Sequence, residues 1–275
     1  MGAANCLTSD FRLQTTDFAL LWTTLCISPD MAQTTWHIGC SGFSYKEWKD
    51  RFYPKGLPAG KWFEYYCTQF NTLELNVTFY RFPQLGMLQG WHRRSPEEFL
   101  FAAKAPRVVT HLKKMKNAHT EVDDFYKVLR MGLAEKLGAV LFQLPPSFAY
   151  SEEALENIIQ HMRHDFVNVV EFRHESWWQS EVWETLQHNN IVVSGTSYPG
   201  LPDAFPQGQA VSYYRLHGVP HLYHSPYADA YLRKIGNQLA YSKEAFVFFD
   251  NTASGAAIDN ARFMQQWAQQ GNEPQ

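Results

Sequence analysis

The chain of 275 residues has 45% hydrophobic and 19% charged residues, a composition that is typical of a folded globular protein and excludes a disordered or coiled-coil one. Its length lies in the range in which an α/β barrel forms one domain. The formal net charge of −3 provides no general attraction to nucleic acid or to anionic membrane, so any anion site must be local.

The first thirty residues differ in character from the rest of the chain. A mostly apolar run at 18–27 is too short to span a bilayer, and neither a basic segment nor a signal-cleavage pattern accompanies it. Residues 1–30 are therefore either an extension upstream of a second start at Met31 or a terminal segment that docks on the domain. Residues 31–275 are predicted to form one domain.

The cysteines lie far apart in the sequence and form no C-x-x-C pair; they are Cys6, Cys26, Cys40 and Cys67. Such a pattern is typical of a reduced compartment. We therefore expect a cytoplasmic protein that has no membrane partner.

From Trp36 onward, short runs with strand chemistry alternate with segments of helical periodicity. Eight strands are predicted, at 36–40, 72–76, 99–103, 139–144, 167–172, 191–194, 211–216 and 245–249. Helices are predicted at 61–70, 85–94, 120–137, 151–164, 180–189, 227–240 and 256–270. Ser151 and the Ser225-Pro226 pair are typical helix starts. The Pro- and Gly-rich segment 195–209 lacks a helical period and predicts an irregular sixth crossover.

The alternation of eight strands with helices predicts an α/β fold with a single parallel (β/α)₈ barrel of the TIM type. The competing architecture is an open, doubly wound sheet. It is not favoured, because no G-x-G-x-x-G turn follows the first strand and no G-x-x-x-x-G-K-[ST] loop occurs. Both of these glycine-rich motifs bind nucleotides, so the sequence contains no recognised nucleotide-cofactor motif. The nearly continuous apolar strands also fit a sheet that is buried on both faces.

Several predicted strands end in polar residues. Residues two apart on a strand share a face, so Glu171 shares one with Arg173, and Arg215 shares one with His217. Other strands end in the same way, with Glu74 and Asn76, Lys104, Gln143, and Asp250 or Asn251. The intervening residues are apolar and should pack outward: Leu75, Phe172 and Leu216. Barrel strand ends converge on one mouth, which predicts a shared pocket there, although any single pair could instead be a structural ion pair.

Six sequence blocks, in this order, resemble the DUF72 family, also called YecE-like proteins. The blocks are WHIGCSGFSYKEWKDRFYP, LELNVTFYRFP, LFQLPPSF, VEFRHESWW, YYRLHG and FFDNTASGAAIDNA. The resemblance covers about residues 36–267, implies a TIM-type barrel, and implies no particular reaction. Two positions depart from the family pattern, namely Cys40, where a hydroxyl residue is common, and Asp250, where asparagine is common. Residues 1–30 have no counterpart in the family.

The family blocks, together with the polar strand ends, provide the candidate site. Glu74 or Glu171 is predicted to be a general base and His217 a general acid, because neighbouring charges can separate their pKa values. Arginine and lysine at the same ends predict that the ligand is a small anion. The predicted substrate-binding residues are Ser41, Tyr45, Trp48, Asn76, Tyr80, Lys104, Gln143, Arg173, His174, Trp177, Arg215 and Asn251.

Three functions remain open from the sequence. The first is acid–base chemistry on a phosphorylated or carboxylated, sugar-like metabolite. The second is a metal-dependent phosphoesterase that acts on nucleic acid, with the basic stretch at 104–116 as a contact and Glu74, Glu171, His217 and Asp250 as ligands. It is less favoured because no H-x-H or H-E-x-x-H spacing occurs, so metal occupancy is undetermined. The third is a ligand-binding barrel without turnover.

Overall fold

The computed structural model describes residues 34–270, and the predicted segment 1–30 lies outside them. All strands belong to one parallel sheet. They are β1 Thr35–Ser41, β2 Thr72–Leu75, β3 Leu100–Lys104, β4 Leu137–Gln143, β5 Asn168–Glu171, β6 Ile191–Val193, β7 Gly195–Ser197, β8 Val211–Leu216 and β9 Glu244–Phe249.

The sheet curls into a nearly closed barrel. Its strand order is β6-β5-β4-β3-β2-β1-β9-β8-β7, so β6 and β7 stand at opposite ends of the sheet. These two strands are consecutive in the chain, with only Ser194 between them, and the two ends of the sheet therefore meet. Together they fill the sixth of eight barrel positions. The predicted parallel (β/α)₈ barrel is confirmed.

The segment at 195–209 differs in part from the prediction. Its first three residues form β7, which pairs with β8. A side chain at Gly195 would lie 2.3 Å from Tyr214 Cδ2, so only glycine lets β7 approach its neighbour there. The strand was missed because three residues carry too little periodicity to identify it. From Tyr198 to Ala210 the chain is irregular, as predicted.

The helices surround the barrel and, except for the short α2, which was not predicted, lie near their predicted positions. They are α1 Trp62–Cys67, α2 Val77–Tyr80, α3 Leu85–Arg94, α4 His119–Leu133, α5 Glu152–His161, α6 Ser180–His188, α7 Asp229–Leu239 and α8 Ala256–Gln269. Ser151 caps α5 as expected, accepting a hydrogen bond from Ala154 N. The Ser225-Pro226 pair does not start α7, because the backbone N–H of Tyr227 donates to Asn260 Oδ1 instead.

Alternation along the strands separates two apolar layers. One fills the barrel and contains Ala102, Ala139, Leu141, Val169, Val192, Tyr213, Phe246 and Phe248. The other lies between the sheet and the helices and includes Leu75, Phe172 and Leu216, which confirms their predicted outward direction. Above the inner layer, the inward positions become polar at the carboxyl ends of the strands. This change of chemistry creates the mouth of the barrel.

Between residues 34 and 270, the structure has no helix that is both long and apolar enough to cross a membrane. Two of the cysteines, Cys40 and Cys67, are buried free thiols in this part of the chain. Burial raises the pKa of Cys67 to about 12, so its thiol stays protonated at neutral pH.

Candidate functional site

Arg215, at the end of β8, is the centre of a buried ion-pair cluster at the mouth of the barrel. Its Nε and Nη2 donate to the two oxygens of Glu74, at 2.8 and 2.6 Å. Its Nη1 donates to Glu171 Oε2 at 2.8 Å. All three side chains are essentially inaccessible to solvent. Since buried charges must be paired, Arg215 is held between two carboxylates that come from non-adjacent strands, β2 and β5.

The carboxylate of Glu74 is fully engaged. Besides the two bonds from Arg215, it accepts one from Ser41 Oγ at 2.7 Å and one from the Tyr213 hydroxyl at 2.7 Å. Burial and the neighbouring Glu74 raise the pKa of Tyr213 well above its usual range, so that hydroxyl remains a donor. Glu74 and Arg215 thus saturate each other's hydrogen-bonding capacity below the mouth, and the catalytic and binding roles predicted for them stay predictions.

Glu171 is shared between two arginines. Arg173, two residues farther along, donates from Nε to Glu171 Oε1, and Arg215 bonds the other oxygen. Burial alone raises the pKa of the Glu171 carboxyl, but the charges of Arg173 and Arg215 outweigh it and hold that pKa well below its usual range. Glu171 is therefore a permanent carboxylate whose main effect is to position guanidinium groups.

His217 and Asp250 form a hydrogen-bonded dyad beside this cluster. His217 Nδ1 lies 2.8 Å from Asp250 Oδ2, and its Nε2 lies 2.8 Å from Arg173 Nη2. A guanidinium can only donate, so Nε2 must accept and the ring proton must be on Nδ1. Burial raises the pKa of Asp250, but the bond with His217 and the charge of Arg215 lower it below its usual value. The geometry thus assigns the Nδ1–H tautomer, in which Nε2 carries the lone pair.

Aromatic rings surround the dyad. The guanidinium carbon of Arg173 lies 4.0 Å from the centroid of the Tyr198 ring, and that ring meets His217 edge-on at 5.6 Å. The ring of Tyr223, in the loop that follows β8, has its centroid 6.4 Å from that of His217. Tyr223 has a φ of 66°, which is unusual for a non-glycine residue, and its N–H donates to His217 O. These contacts fix the orientations of Arg173 and His217.

Lys104 extends into the same mouth from the end of β3. Its Nζ lies 4.3 Å from the centroid of the Phe79 ring, and within residues 34–270 it has no hydrogen-bond or ion-pair partner. Burial, and next the charge of Arg215, lower the pKa of Lys104 to about 8 against the opposing effect of the nearby carboxylates. Unlike the other cations of the cluster, this lysine has a terminal nitrogen that is free to meet a ligand.

His111 lies next to Lys104 and packs edge-on against Phe79 at 4.9 Å. Burial, together with the charges of Lys104, Arg107 and Arg173, lowers the pKa of His111 to about 4, so this imidazole is neutral at physiological pH. One side of the mouth therefore concentrates positive potential on three side chains, those of Lys104, Arg107 and Arg173.

Replacing Lys104 by methionine is expected to raise the free energy of unfolding at pH 7 by about 1–3 kcal/mol, because a partly buried, unpaired ammonium is removed. Folded Lys104 has a pKa of about 8, against 10.5 for an ordinary lysine. Wild-type stability is therefore lowest below pH 8 and rises from there to about pH 10.5. Urea unfolding of both proteins at pH 7 measures how much stability the variant gains. The same experiment above pH 8 shows whether the variant has lost the rise of stability with pH that Lys104 causes in the wild type.

Lys127→Met, at an exposed position of α4, is the matched control and should change stability by less than about 0.5 kcal/mol. A Lys104→Met variant less stable than wild type at pH 7 would show that the ammonium stabilises the fold.

Two predicted binding residues lie in the packed interior. Trp48 and Trp177 are fully buried, and their indole N–H groups donate to Thr252 O at 3.0 Å and Phe148 O at 2.7 Å. In this structure both tryptophans hold loops against the barrel, and their predicted binding role stays a prediction.

The remaining predicted binding residues have mixed surroundings. Tyr45 donates to Ser41 O, and His174 caps a short 3₁₀ turn at Glu175–Trp177. The side-chain nitrogen of Asn251 donates to Ser225 O and Asn260 Oδ1, and that of Gln143 donates to Leu144 O. Tyr80 is 82% exposed on α2. Asn76 has a buried Oδ1 without a hydrogen-bond partner, so it retains capacity for a ligand.

Sequence reasoning missed several residues of the site. Asp250 was predicted as a polar strand end and a possible metal ligand but not as a partner of His217, and Tyr213, Tyr198, Tyr223 and His111 were not considered. Tyr213 lies two residues before Arg215 and so shares its face, a signal that was available. Tyr198 and Tyr223 lie in irregular loops, where no periodicity reveals direction.

Within the described residues, no group of three or more His, Cys, Asp and Glu side chains is arranged to hold a metal ion. The carboxylates of Glu74 and Glu171 face guanidinium groups instead. This donor set does not favour the metal-dependent interpretation.

The sequence profile of the family described as "Protein of unknown function DUF72" matches residues 37–275. The chain belongs to the DUF72 family. A DUF72 protein of Thermotoga maritima MSB8 has a similar structure, with a TM-score of 0.76 and 28% identity over 86% of this chain and 99% of that one. A DUF72 protein of Enterococcus faecalis V583 shares the fold, with a TM-score of 0.73 and 19% identity over 86% of this chain and 96% of that one.

Two curated proteins are also similar to this DUF72 chain. The UPF0759 protein YunF of Bacillus subtilis (strain 168) is 23% identical over 266 residues, which cover 83% of this chain and 93% of YunF. The UPF0759 protein YecE of Escherichia coli (strain K12) is 29% identical over 126 residues, which cover 45% of this chain and 46% of YecE. These similarities agree with the barrel and specify no substrate.

Proposed function

We propose that this DUF72 protein is an enzyme that performs acid–base chemistry on a small anionic metabolite, with His217 Nε2 as the base. The observation that carries the proposal is the Asp250–His217–Arg173 arrangement, in which Asp250 fixes the tautomer and Arg173 contacts the basic nitrogen. An oriented neutral imidazole with its lone pair at a barrel mouth is suited to proton transfer at physiological pH.

Arg173 links anion binding to this base. Its guanidinium contacts both Glu171 and His217 Nε2. A carboxylate or phosphate of the substrate would compete for the same donors and so uncover the lone pair of Nε2. The base would then become available only when the anion is in place. Lys104 and Arg107 add positive potential on the same side of the mouth.

A cavity of about 470 Å³ provides room for the rest of a small molecule. It lies between the loops that follow β7 and β8. Tyr198 lines this cavity and also contacts Arg173 of the charged cluster. Its other lining residues include Pro199, Val219 and Tyr227. Rings and proline faces suit the carbon skeleton of a metabolite; Arg173 and His217 are not among the residues that line this cavity.

Anion binding tests the proposal before a substrate is known. We expect inorganic phosphate or oxalate, titrated by calorimetry at constant ionic strength, to bind at least about tenfold more weakly to Arg173→Gln than to wild type, which is about 1.4 kcal/mol. Arg107→Gln, at an exposed position, should weaken binding without affecting folding.

The control is Arg130→Gln, which removes an exposed arginine paired with Asp165 far from the mouth in sequence. Equal affinities for wild type, Arg173→Gln and Arg107→Gln would contradict an anion site at this mouth.

The nucleic-acid alternative receives less support. In the basic stretch at 104–116, Lys113 pairs with Glu121 at 2.6 Å and Lys116 with Glu153 at 2.8 Å. These pairs neutralise part of the charge that a phosphate backbone would need. A binding barrel without turnover uses the same anion site, and it is distinguished by whether a bound compound is recovered unchanged.

A further inference from the structure

We infer that Lys104 forms a covalent imine with the substrate, which would therefore carry an aldehyde or ketone carbon near its anionic group. The inference rests on the proposed function, because the same anion site must present the carbonyl carbon to the lysine. It adds a substrate class and a nucleophile to acid–base chemistry that by itself specifies neither.

The first argument is the missing partner of Lys104. The other charged side chains of the inner cluster are all paired, Arg215 with Glu74 and Glu171, Arg173 with Glu171, and Asp250 with His217. The Nζ of Lys104 lies 4.3 Å from the centroid of the Phe79 ring, and among the described residues it makes no hydrogen bond or ion pair. A lysine that served the fold would be expected to take a carboxylate when partly buried. Its free nitrogen indicates a role toward a ligand.

The second argument is the charge state of the amine. An imine forms only from the neutral amine, and a lysine that is desolvated beside another cation supplies it. Both conditions hold here, since burial and Arg215 lower the pKa of Lys104 to about 8. Roughly a tenth of the lysine is then neutral at pH 7, compared with less than about a thousandth for an ordinary lysine.

The third argument is the chemistry around it. The lone pair of Nζ attacks the carbonyl carbon and forms the C–N bond, while the carbonyl oxygen gains a proton and the nitrogen loses one, giving a carbinolamine. The remaining N–H proton is then transferred to the hydroxyl group, the C–O bond breaks as water leaves, and the nitrogen electron pair forms C=N. No oxidant or reductant is needed. His217, whose Nε2 is basic, can exchange these protons.

Reductive trapping tests the inference on the full chain. Wild-type protein is incubated with sodium cyanoborohydride and one of three probes, pyruvate, glyoxylate or dihydroxyacetone phosphate, and the labelled lysines are located by peptide mass spectrometry. For at least one probe, we expect Lys104 to be labelled at least tenfold faster than exposed Lys127. Its rate should rise with pH and level off above about pH 8, where the amine is neutral.

Two comparisons make the result specific. Lys104→Arg keeps the positive charge and should lose the label at this position with no gain elsewhere, whereas Lys127→Arg should leave the labelling of Lys104 unchanged. Excess inorganic phosphate should slow the labelling of Lys104 in wild type, a measurement that does not depend on any variant folding.

The outcomes separate the two proposals. If phosphate binds in the manner expected above but no probe labels Lys104 faster than Lys127, the imine is wrong and the acid–base proposal stands. If phosphate does not bind through Arg173 and Lys104 is not labelled, both are wrong. Phosphate-sensitive labelling of Lys104 supports both.

Discussion

Replacing Arg215 by methionine is expected to lower the free energy of unfolding by about 3–5 kcal/mol, because it leaves two buried carboxylates without their shared cation. Arg215 donates two hydrogen bonds to Glu74 and one to Glu171, and all three side chains are at most 1% exposed. Urea unfolding followed by circular dichroism measures the loss.

The surface ion pair between Arg163 and Asp123 provides the matched control. Both side chains are about half exposed, and Arg163→Met should cost less than about 1 kcal/mol. In the Arg215→Met background, the further change Glu74→Gln should recover part of the loss, since it removes one of the two uncompensated charges. A cost for Arg215→Met no larger than that of Arg163→Met would contradict the description of the cluster as a buried network.

Changing Asp250 to asparagine is expected to lower turnover by about 10²- to 10⁴-fold. The carboxylate accepts the Nδ1 proton of His217 and thereby leaves Nε2 unprotonated. The amide oxygen of asparagine can still accept the Nδ1 proton, but it lacks the negative charge that stabilises the imidazolium formed when Nε2 takes a proton, so the base is weakened. The defect should appear in kcat, because no group that binds the anion is altered.

Asp203→Asn is the control for this variant. Asp203 lies on a loop at the same end of the barrel, where it accepts hydrogen bonds from Tyr214, Tyr231 and Lys234 and none from His217. Loss of turnover in Asp250→Asn but not in Asp203→Asn supports the dyad. Equal rates for Asp250→Asn and wild type would contradict it.

The convergence of charged strand ends could be predicted because it follows from two simple regularities. Side chains alternate along a strand, and parallel strands present their carboxyl ends at one mouth. These regularities place Glu171 with Arg173 and Arg215 with His217, and the structure brings all four into contact.

Which of those residues are saturated by hydrogen bonds, and which stay available to a ligand, could not be predicted. Whether a carboxylate is saturated depends on which donors reach it from other strands. Glu74 receives Ser41 from β1 and Tyr213 with Arg215 from β8, contacts across 33 to 141 positions of sequence. Such distant partners are set by the closed barrel and leave no local pattern.

The tryptophans show a second limit of the sequence. Trp48 and Trp177 follow strand ends and resemble ligand-binding aromatics. In the structure, Trp177 is stacked between Phe148 and Phe172, with ring centroids at 5.6 and 4.2 Å. An aromatic side chain in a loop serves packing or binding according to what covers it, and the order of residues does not record that.

The most direct test of the central claim is a comparison of metabolite consumption by wild type and Asp250→Asn. Each protein is incubated with a deproteinised metabolite extract, and mass spectrometry follows all small compounds with time. The account predicts that wild type consumes at least one phosphorylated or carboxylated compound, and that Asp250→Asn consumes it at least about a hundredfold more slowly. Consumption of no compound, or equal consumption by both proteins, would contradict an acid–base enzyme built on His217 and Asp250.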